Sequence, residues 1–317
     1  MATSGSYDFS MTRDDLIKAA LRTLGVIKAG TNPPSVIVTD CAEALNVMLK
    51  GWAAQNIGLW LFKQVTVFPQ YETESFSLGA SAGHATESYV RTTLDGDVDL
   101  GATTIIVDSA TGITSAYNIA VQLDDGTLQW TTVSGAPSGT TVTLAVALTD
   151  DANDGDTVYC YQAKTQRPLE VCRVTLEDTS EGTETPIRII SRDEYFNIAD
   201  KDNSGSPNMI YYDPQLTNGT LYVWPTNDDV DNVINLTIKK PIQDFDAATD
   251  DCDFPVEWIE AVKYNLALRL APEYMDEIVE DRMKYIIKMA QESLNTVRRF
   301  DSEHNTSIYM VPDIRNY

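Results

Sequence analysis

The sequence predicts an α+β fold in which the two ends of the chain build one discontinuous α-helical bundle around a long all-β insertion. Three observations carry this expectation. Apolar residues recur at the helical period up to about Leu61, alternate with a period of two from Phe62 onward, and return to the helical period at Pro255. The predicted organisation is a helical domain made of 1–61 and 254–300, a sandwich- or barrel-like β insertion over 62–253, and an extended C-terminal arm over 301–317.

The first predicted helix spans 12–24. Thr12 is placed to cap it, with Asp15 three residues on as an acidic variant of the capping box. Leu16, Ala19, Ala20 and Leu24 form its apolar stripe, and Gly25 stops it. A Gly-Thr-Asn-Pro-Pro turn at 30–34 leads to a second helix from about Ser35 to Gln55, with Ile37, Cys41, Ala44, Leu45, Met48 and Trp52 on one face.

Beyond the β region, Pro255 stands at a first helical position. Trp258, Val262, Leu266 and Leu270 line the inner face of the third helix, which Ala271-Pro272 breaks. The fourth is expected over about 273–299, with Ile278, Met283, Ile286, Ala290, Leu294 and Val297 inward. Acids in its first turns (Glu273, Asp276, Glu277) and Arg298-Arg299 at its end both favour the helix dipole. The expected helical core is Leu16, Leu45, Met48, Trp52, Trp258, Val262, Leu266 and Ile286, with Trp52 and Trp258 sharing an interior that neither end fills alone.

Between the helices, KQVTVFP alternates, and from Asp97 short runs recur between turns: TTIIVD, NIAVQL, LQWTTV, TTVTLAVAL and TVYCYQ. Strands at such short spacing read as a compact β module over about 90–165. RVTLED, IRIIS, NMIYYD, TLYVWP and INLTIKK then form a second β layer over about 166–253, with Arg167-Pro168-Leu169 as the seam.

Composition narrows the function. The four cysteines, Cys41, Cys160, Cys172 and Cys252, form no C-x-x-C pair, which argues against zinc or a disulfide framework and for assembly in a reducing cytoplasm. Met1 to Ser10 is polar and carries no signal-peptide core, and no apolar run is long enough to span a membrane. The net charge is −24, of which −21 falls in residues 62–254. Tight phosphate binding needs clustered Lys and Arg, and sequence-reading DNA binding is therefore not expected. The acid reads either as a device for solubility or as the lining of a passage through which DNA moves without sticking, over the roughly 8 Å reach of charge at physiological salt.

Four segments carry a resemblance: LIKAALRTLGVI, ALNVMLKGWAAQNIGLWLF, YYDPQLTNGTLYVWP and FPVEWIEAVKYNLALRLAPEY, with DGT-x-x-W-T-T-V at Asp125–Val133 similar to an inserted module. In this order they resemble the head-to-tail adaptors of short-tailed, podovirus-type bacteriophages, also called tail accessory, packaged-DNA stabilisation or tail tubular adaptor proteins. The resemblance implies a structural virion protein rather than an enzyme, sited at the head–tail junction and assembled in the host cytoplasm. It implies a homo-oligomeric ring, commonly of twelve copies, that docks on the portal protein and seals the packaged DNA. Tail nozzle or tail-fibre proteins would attach to it, and double-stranded DNA would pass through without being read. The arm residues Ser307, Ile308, Tyr309, Met310, Val311, Pro312, Ile314 and Tyr317 would bind the portal as an extended peptide. Arg298, Arg299 and His304 would lie at subunit or portal contacts. Compact members of the family lack an insertion of this length.

Catalytic and metal chemistry finds little purchase. The two histidines, His84 and His304, belong to no Ser-His-Asp constellation, and no G-x-S-x-G occurs. A tail hydrolase acting on cell wall or capsule would need a carboxyl raised in an apolar pocket, whereas most acids here lie in polar loops. That enzyme and a host-binding β protein are the alternatives to the adaptor. Asp200-Lys201-Asp202-Asn203-Ser204-Gly205 fits the first half of a calcium loop, but its twelfth position is Tyr211; the acidic turn at 150–156 is a second candidate for a cation. No cofactor is expected. Tyr211, Tyr212, Tyr222 and Trp224 form an aromatic stripe expected mainly in the core.

Overall fold

The helical and β stretches separate into two units in the computed structural model, which describes residues 5–6, 9–55 and 58–301. One unit comprises Met1–Leu61 and Ile242–Tyr317, the other Phe62–Pro241. The α-helices in chain order are α1 (Arg13–Leu24), α2 (Ser35–Ala54), α3 (Arg192–Phe196), α4 (Ile259–Leu270) and α5 (Glu280–Phe300). Only α3 belongs to the β unit. No helix among the described residues is long and apolar enough to cross a membrane.

In the helical unit α1 packs on α4, and α2 and α5 each pack on both of them. Thr12 caps α1 by accepting from the Asp15 amide, and Gly25 closes it in the left-handed conformation with φ 88°. The interior is drawn from all four helices: Leu16, Leu45, Val262, Leu266 and Ile286 are fully buried, and Met48, Trp52 and Trp258 nearly so.

Two expectations about this unit need correction. Pro255 sits at the cap position rather than inside the helix, and a 3-10 turn, Val256–Trp258, precedes α4. The fourth α-helix begins not at 273 but at Glu280. The stretch Ala271–Glu277 is 3-10 helix, and Ile278 is extended (φ −100°, ψ 125°), so it lies outside the inner stripe of α5. Pro272 accounts for this, since it cannot donate to the preceding turn and relaxes the helix across it. Within α5 the buried stripe is Ile286, Ala290, Ser293 and Val297, with Leu294 only half-buried.

The β unit contains strands β1 (Phe62–Val67), β2 (Ser75–Leu78), β3 (Ala85–Thr86), β4 (Val90–Thr93), β5 (Thr104–Ile106), β6 (Asn118–Gln122), β7 (Leu128–Thr132) and β8 (Thr141–Thr143). It continues with β9 (Thr157–Tyr161), β10 (Glu170–Asp178), β11 (Thr183–Pro186), β12 (Arg188–Ile189), β13 (Met209–Asp213), β14 (Gly219–Trp224) and β15 (Asn232–Lys239). A five-stranded sheet, β11-β10-β15-β1-β3, and a four-stranded sheet, β12-β13-β14-β2, share one core of Val65, Val67, Leu78, Val174, Ile210, Leu221, Val223, Ile234, Leu236 and Ile238. This is a β-sandwich with alternating inward residues.

A second β body is nested in that sandwich. The sheet β4-β9-β6-β7 and the pair β5-β8 enclose Leu94, Ile105, Val107, Ile119, Val121, Val142, Leu144 and Val158. The residues before it, 62–86, are therefore sandwich strands, because β1 is hydrogen-bonded to β15 along its whole length from Phe62↔Lys239 to Val67↔Ile234. Phe68 joins the two bodies. Its ring lies 4.8 Å from Tyr159, 5.2 Å from Tyr89 and 5.3 Å from Trp130. Arg91 adds an ion pair to Asp231 at 2.9 Å, and Thr157 donates to the same carboxylate at 2.7 Å.

Candidate assembly interface

The residues expected to bring the chain ends together meet around Trp258. Its ring is 5.9 Å from Trp52 of α2 and 4.7 Å, edge-on, from Trp60. Trp60 Nε1 donates to the carbonyl of Asp253 at 3.2 Å, so the one polar atom of that ring is satisfied.

The expected boundary at 253/254 is overturned. Residues 242–253 belong to the helical unit, fastened across both N-terminal helices. Asn46 clasps Phe245 in both directions, its amide donating to the carbonyl at 3.2 Å and its oxygen accepting from the backbone N–H at 3.0 Å. Lys50 pairs with Asp244 at 2.8 Å, and Arg13 donates to the carbonyl of Asp246 at 3.0 Å. Phe245 packs edge-on to Phe254 with ring centres 6.4 Å apart. The period of two in this stretch was absent, and its order comes from those long-range partners. With its five aspartates moved, the β unit carries 10 basic and 26 acidic side chains, and the helical unit 13 and 21.

Arg298 and Arg299 are exposed at the end of α5, where Arg298 reaches Gln55 Oε1 at 3.4 Å. His304 and the arm residues Ser307, Ile308, Tyr309, Met310, Val311, Pro312, Ile314 and Tyr317 lie outside the described residues.

Of the two cation candidates, the acidic turn at 150–156 is engaged in turn chemistry. In the 150–156 turn the Asp151 carboxylate accepts from the Leu100 amide at 2.7 Å, Asp154 from Gly96 at 2.8 Å, and Asp156 from Asn153 at 2.6 Å. Carboxylates engaged with backbone amides in this way hold loops closed. Asp202 lies against Glu74, and burial together with that shared hydrogen bond raises the Glu74 carboxyl. Among the described residues no group of three or more His, Cys, Asp and Glu side chains is arranged to hold a metal.

His84 proves to be a joint residue. Its ring stacks on Trp130 at 3.8 Å with 10° between planes, and Nδ1 is 2.8 Å from the Tyr161 hydroxyl. Burial, with Lys164 adding, pushes its pKa down to about 3, so the ring is neutral. The aromatic stripe divides between faces: Tyr211 and Tyr222 stack at 5.7 Å on the outer face with Tyr195 and Phe196 of α3, while Tyr212 packs against the sandwich core. Helix α3 escaped the sequence reading although Ser191 and Glu194 form a full capping box; five residues are too few to show a period.

A model of the SU10 adaptor proteins matches residues 88–313, more than two thirds of the chain. The chain belongs to the SU10 adaptor protein family, a family of phage structural adaptors. No curated protein matches it. Among solved structures, the gp54 tailspike of Acinetobacter baumannii bacteriophage AP22, in complex with A. baumannii capsular saccharide, is similar at 16% identity with a TM-score of 0.20. The match covers 24% of this chain and 15% of the tailspike, a likeness too slight to bear on function.

Proposed function

We propose that this protein is the head-to-tail adaptor of a short-tailed phage: a ring-forming virion protein that docks on the portal, seals the packaged DNA and carries the tail. The observation that carries the reading is the adaptor-family match over residues 88–313, which takes in the β unit from residue 88 onward and the C-terminal helices. The joining of the two chain ends around Trp258 supports it, since a multi-helix body offers several faces for a neighbouring copy. The excess of acid over base, 26 against 10 in the β unit and 21 against 13 in the helical unit, suits a DNA passage that repels phosphate.

In this reading the helical unit is a bundle that contacts portal and neighbours in a ring of twelve, and the β unit is the attachment platform for nozzle or fibre proteins. The segment 301–317 is the portal-binding arm. Mixing the purified chain with the cognate portal protein and imaging the particles tests it. A ring of this chain added to one face of the portal is the expected result. Portal particles that stay bare at saturating chain overturn it.

A further inference from the structure

We propose that the outer face of the five-stranded sheet binds a small organic polycation, an extended alkyl amine whose separated ammonium groups meet separate glutamates. The site lies wholly within the β unit and is independent of the adaptor reading.

Strand register builds the floor. Thr66 of β1 faces Asn235 of β15, and Asn235 faces Thr175 of β10, so the three stand in one row across the sheet. Their neighbours Val65, Val67, Val174, Leu176 and Ile234 point into the sandwich core, which turns this row outward. The row floors a basin of about 290 Å³, with Leu236 the one apolar residue among those that line it. Glu87 follows β3 at one edge of the sheet, and Glu184 stands on β11 at the other. Such a lining offers no apolar surface to a lipid or a drug-like ligand.

The floor is only partly satisfied. Thr66 donates to Asn235 Oδ1 at 2.7 Å and Asn235 Nδ2 donates to Glu177, which fixes the amide at both ends. Thr175 is 7% exposed, yet its hydroxyl faces the basin without a hydrogen-bond partner among the described residues.

The charges are unbalanced as well. Glu177 and Glu184 stand directly opposite each other on β10 and β11, an arrangement of like charges that weakens a sheet. Glu87 adds a third carboxylate against the single guanidinium of Arg173, which leaves the basin a net charge of −2. Among the described residues no ion pair joins Arg173 to any of the three. One metal ion cannot neutralise them together, because no three such side chains are arranged to hold it. An alkyl amine can. Each ammonium brings several N–H donors, and the methylenes between them span carboxylates that stand apart, with the Thr175 hydroxyl as a further acceptor.

Calorimetric titration of the full chain with spermidine at about 0.15 M salt tests the site. One saturable site per chain is the expected result. Glu87→Gln combined with Glu184→Gln should weaken binding about tenfold, and Thr175→Val about threefold. Asp99→Asn combined with Asp228→Asn removes two exposed carboxylates of the same unit outside the basin and should leave binding unchanged. Without amine, Glu184→Gln should raise the melting temperature by about 1–2 °C, because the facing like charges are gone. A glutamate that served only the fold would lose stability instead.

Undiminished binding by the double glutamate variant would overturn the proposal by placing the amine elsewhere on this acidic chain. Equal weakening by the control pair would do the same. A response to Mg²⁺ as strong as that to spermidine at matched charge would reduce the effect to screening and overturn it too. Tighter binding of an acetylated Lys-Gly-Lys amide than of spermidine would overturn the assignment to a free amine and give the basin to a protein partner.

Discussion

Arg282 of α5 donates from Nη1 to the carbonyl of Leu24, the last residue of α1, at 3.1 Å, and its guanidinium fills the space where a side chain at position 25 would begin. The missing Cβ of Gly25 is thus used twice. It permits the left-handed turn that ends α1, and it admits a cation to the carbonyl end of that helix, where the dipole favours positive charge. Residues from the two ends of the chain are locked together by this contact.

Gly25→Ala should therefore destabilise the protein by about 1–2 kcal/mol from backbone strain, with a further loss as Arg282 is displaced. In an Arg282→Ala background the same substitution should cost less, because nothing remains to displace. Urea melts of the four chains of this double-mutant cycle measure the coupling. Additive effects would show that the guanidinium is not held there.

Trp258→Ala should cost about 3–5 kcal/mol, since a nearly buried ring touching Trp52 and Trp60 leaves a cavity that α4 cannot close. Thermal denaturation followed by tryptophan fluorescence reads it. An unchanged melting temperature would contradict the shared core.

Asn46→Ala should cost about 2 kcal/mol by leaving the half-buried backbone of Phe245 without either partner. The amides around Phe245 should then exchange with solvent faster than those of α4. Equal protection in variant and wild type would mean that the segment is held by other contacts.

His84 predicts an acid-side loss of stability. Its pKa falls from 6.5 to about 3 on folding, so the unfolded chain takes up the proton first. Stability from this group is complete above pH 6.5 and drains away as pH falls toward 3. His84→Phe keeps a ring against Trp130 but cannot titrate, so its melting temperature should fall less steeply across that window. Parallel slopes would show that His84 is protonated in the folded protein.

Removal of residues 301–317 should leave the melting temperature within a degree or so of the full chain while abolishing portal binding, if the arm acts as proposed. Sedimentation of the truncated chain with portal protein checks it. Undiminished binding would move the portal contact to the helices.

Much of the fold was legible because short-range physics writes it into neighbouring residues. The cap at Thr12, the stop at Gly25, the stripe of Cys41, Leu45, Met48 and Trp52, and the alternation of strands such as TLYVWP each follow from side chains a few positions apart. The failures share a cause. Residues 242–253 have no period of their own and are ordered by Asn46, Lys50 and Arg13, about two hundred positions away. The partner of β1 is β15, and no local signal announces that pairing. His84 looked like a loop residue because its stack on Trp130 and its contact with Tyr161 exist only once two β bodies close on each other.

The sequence by itself determined where the longer helices and most strands lie, that the excess charge is acidic, and that the chain resembles phage adaptors. Tertiary structure alone decided that the small β body is nested inside a sandwich, that an acidic segment binds the N-terminal helices, and which helix faces remain uncovered. The physical reason is range: propensity, capping and periodicity act within a turn or two of chain, whereas burial and pairing depend on residues that only folding brings within a few ångströms.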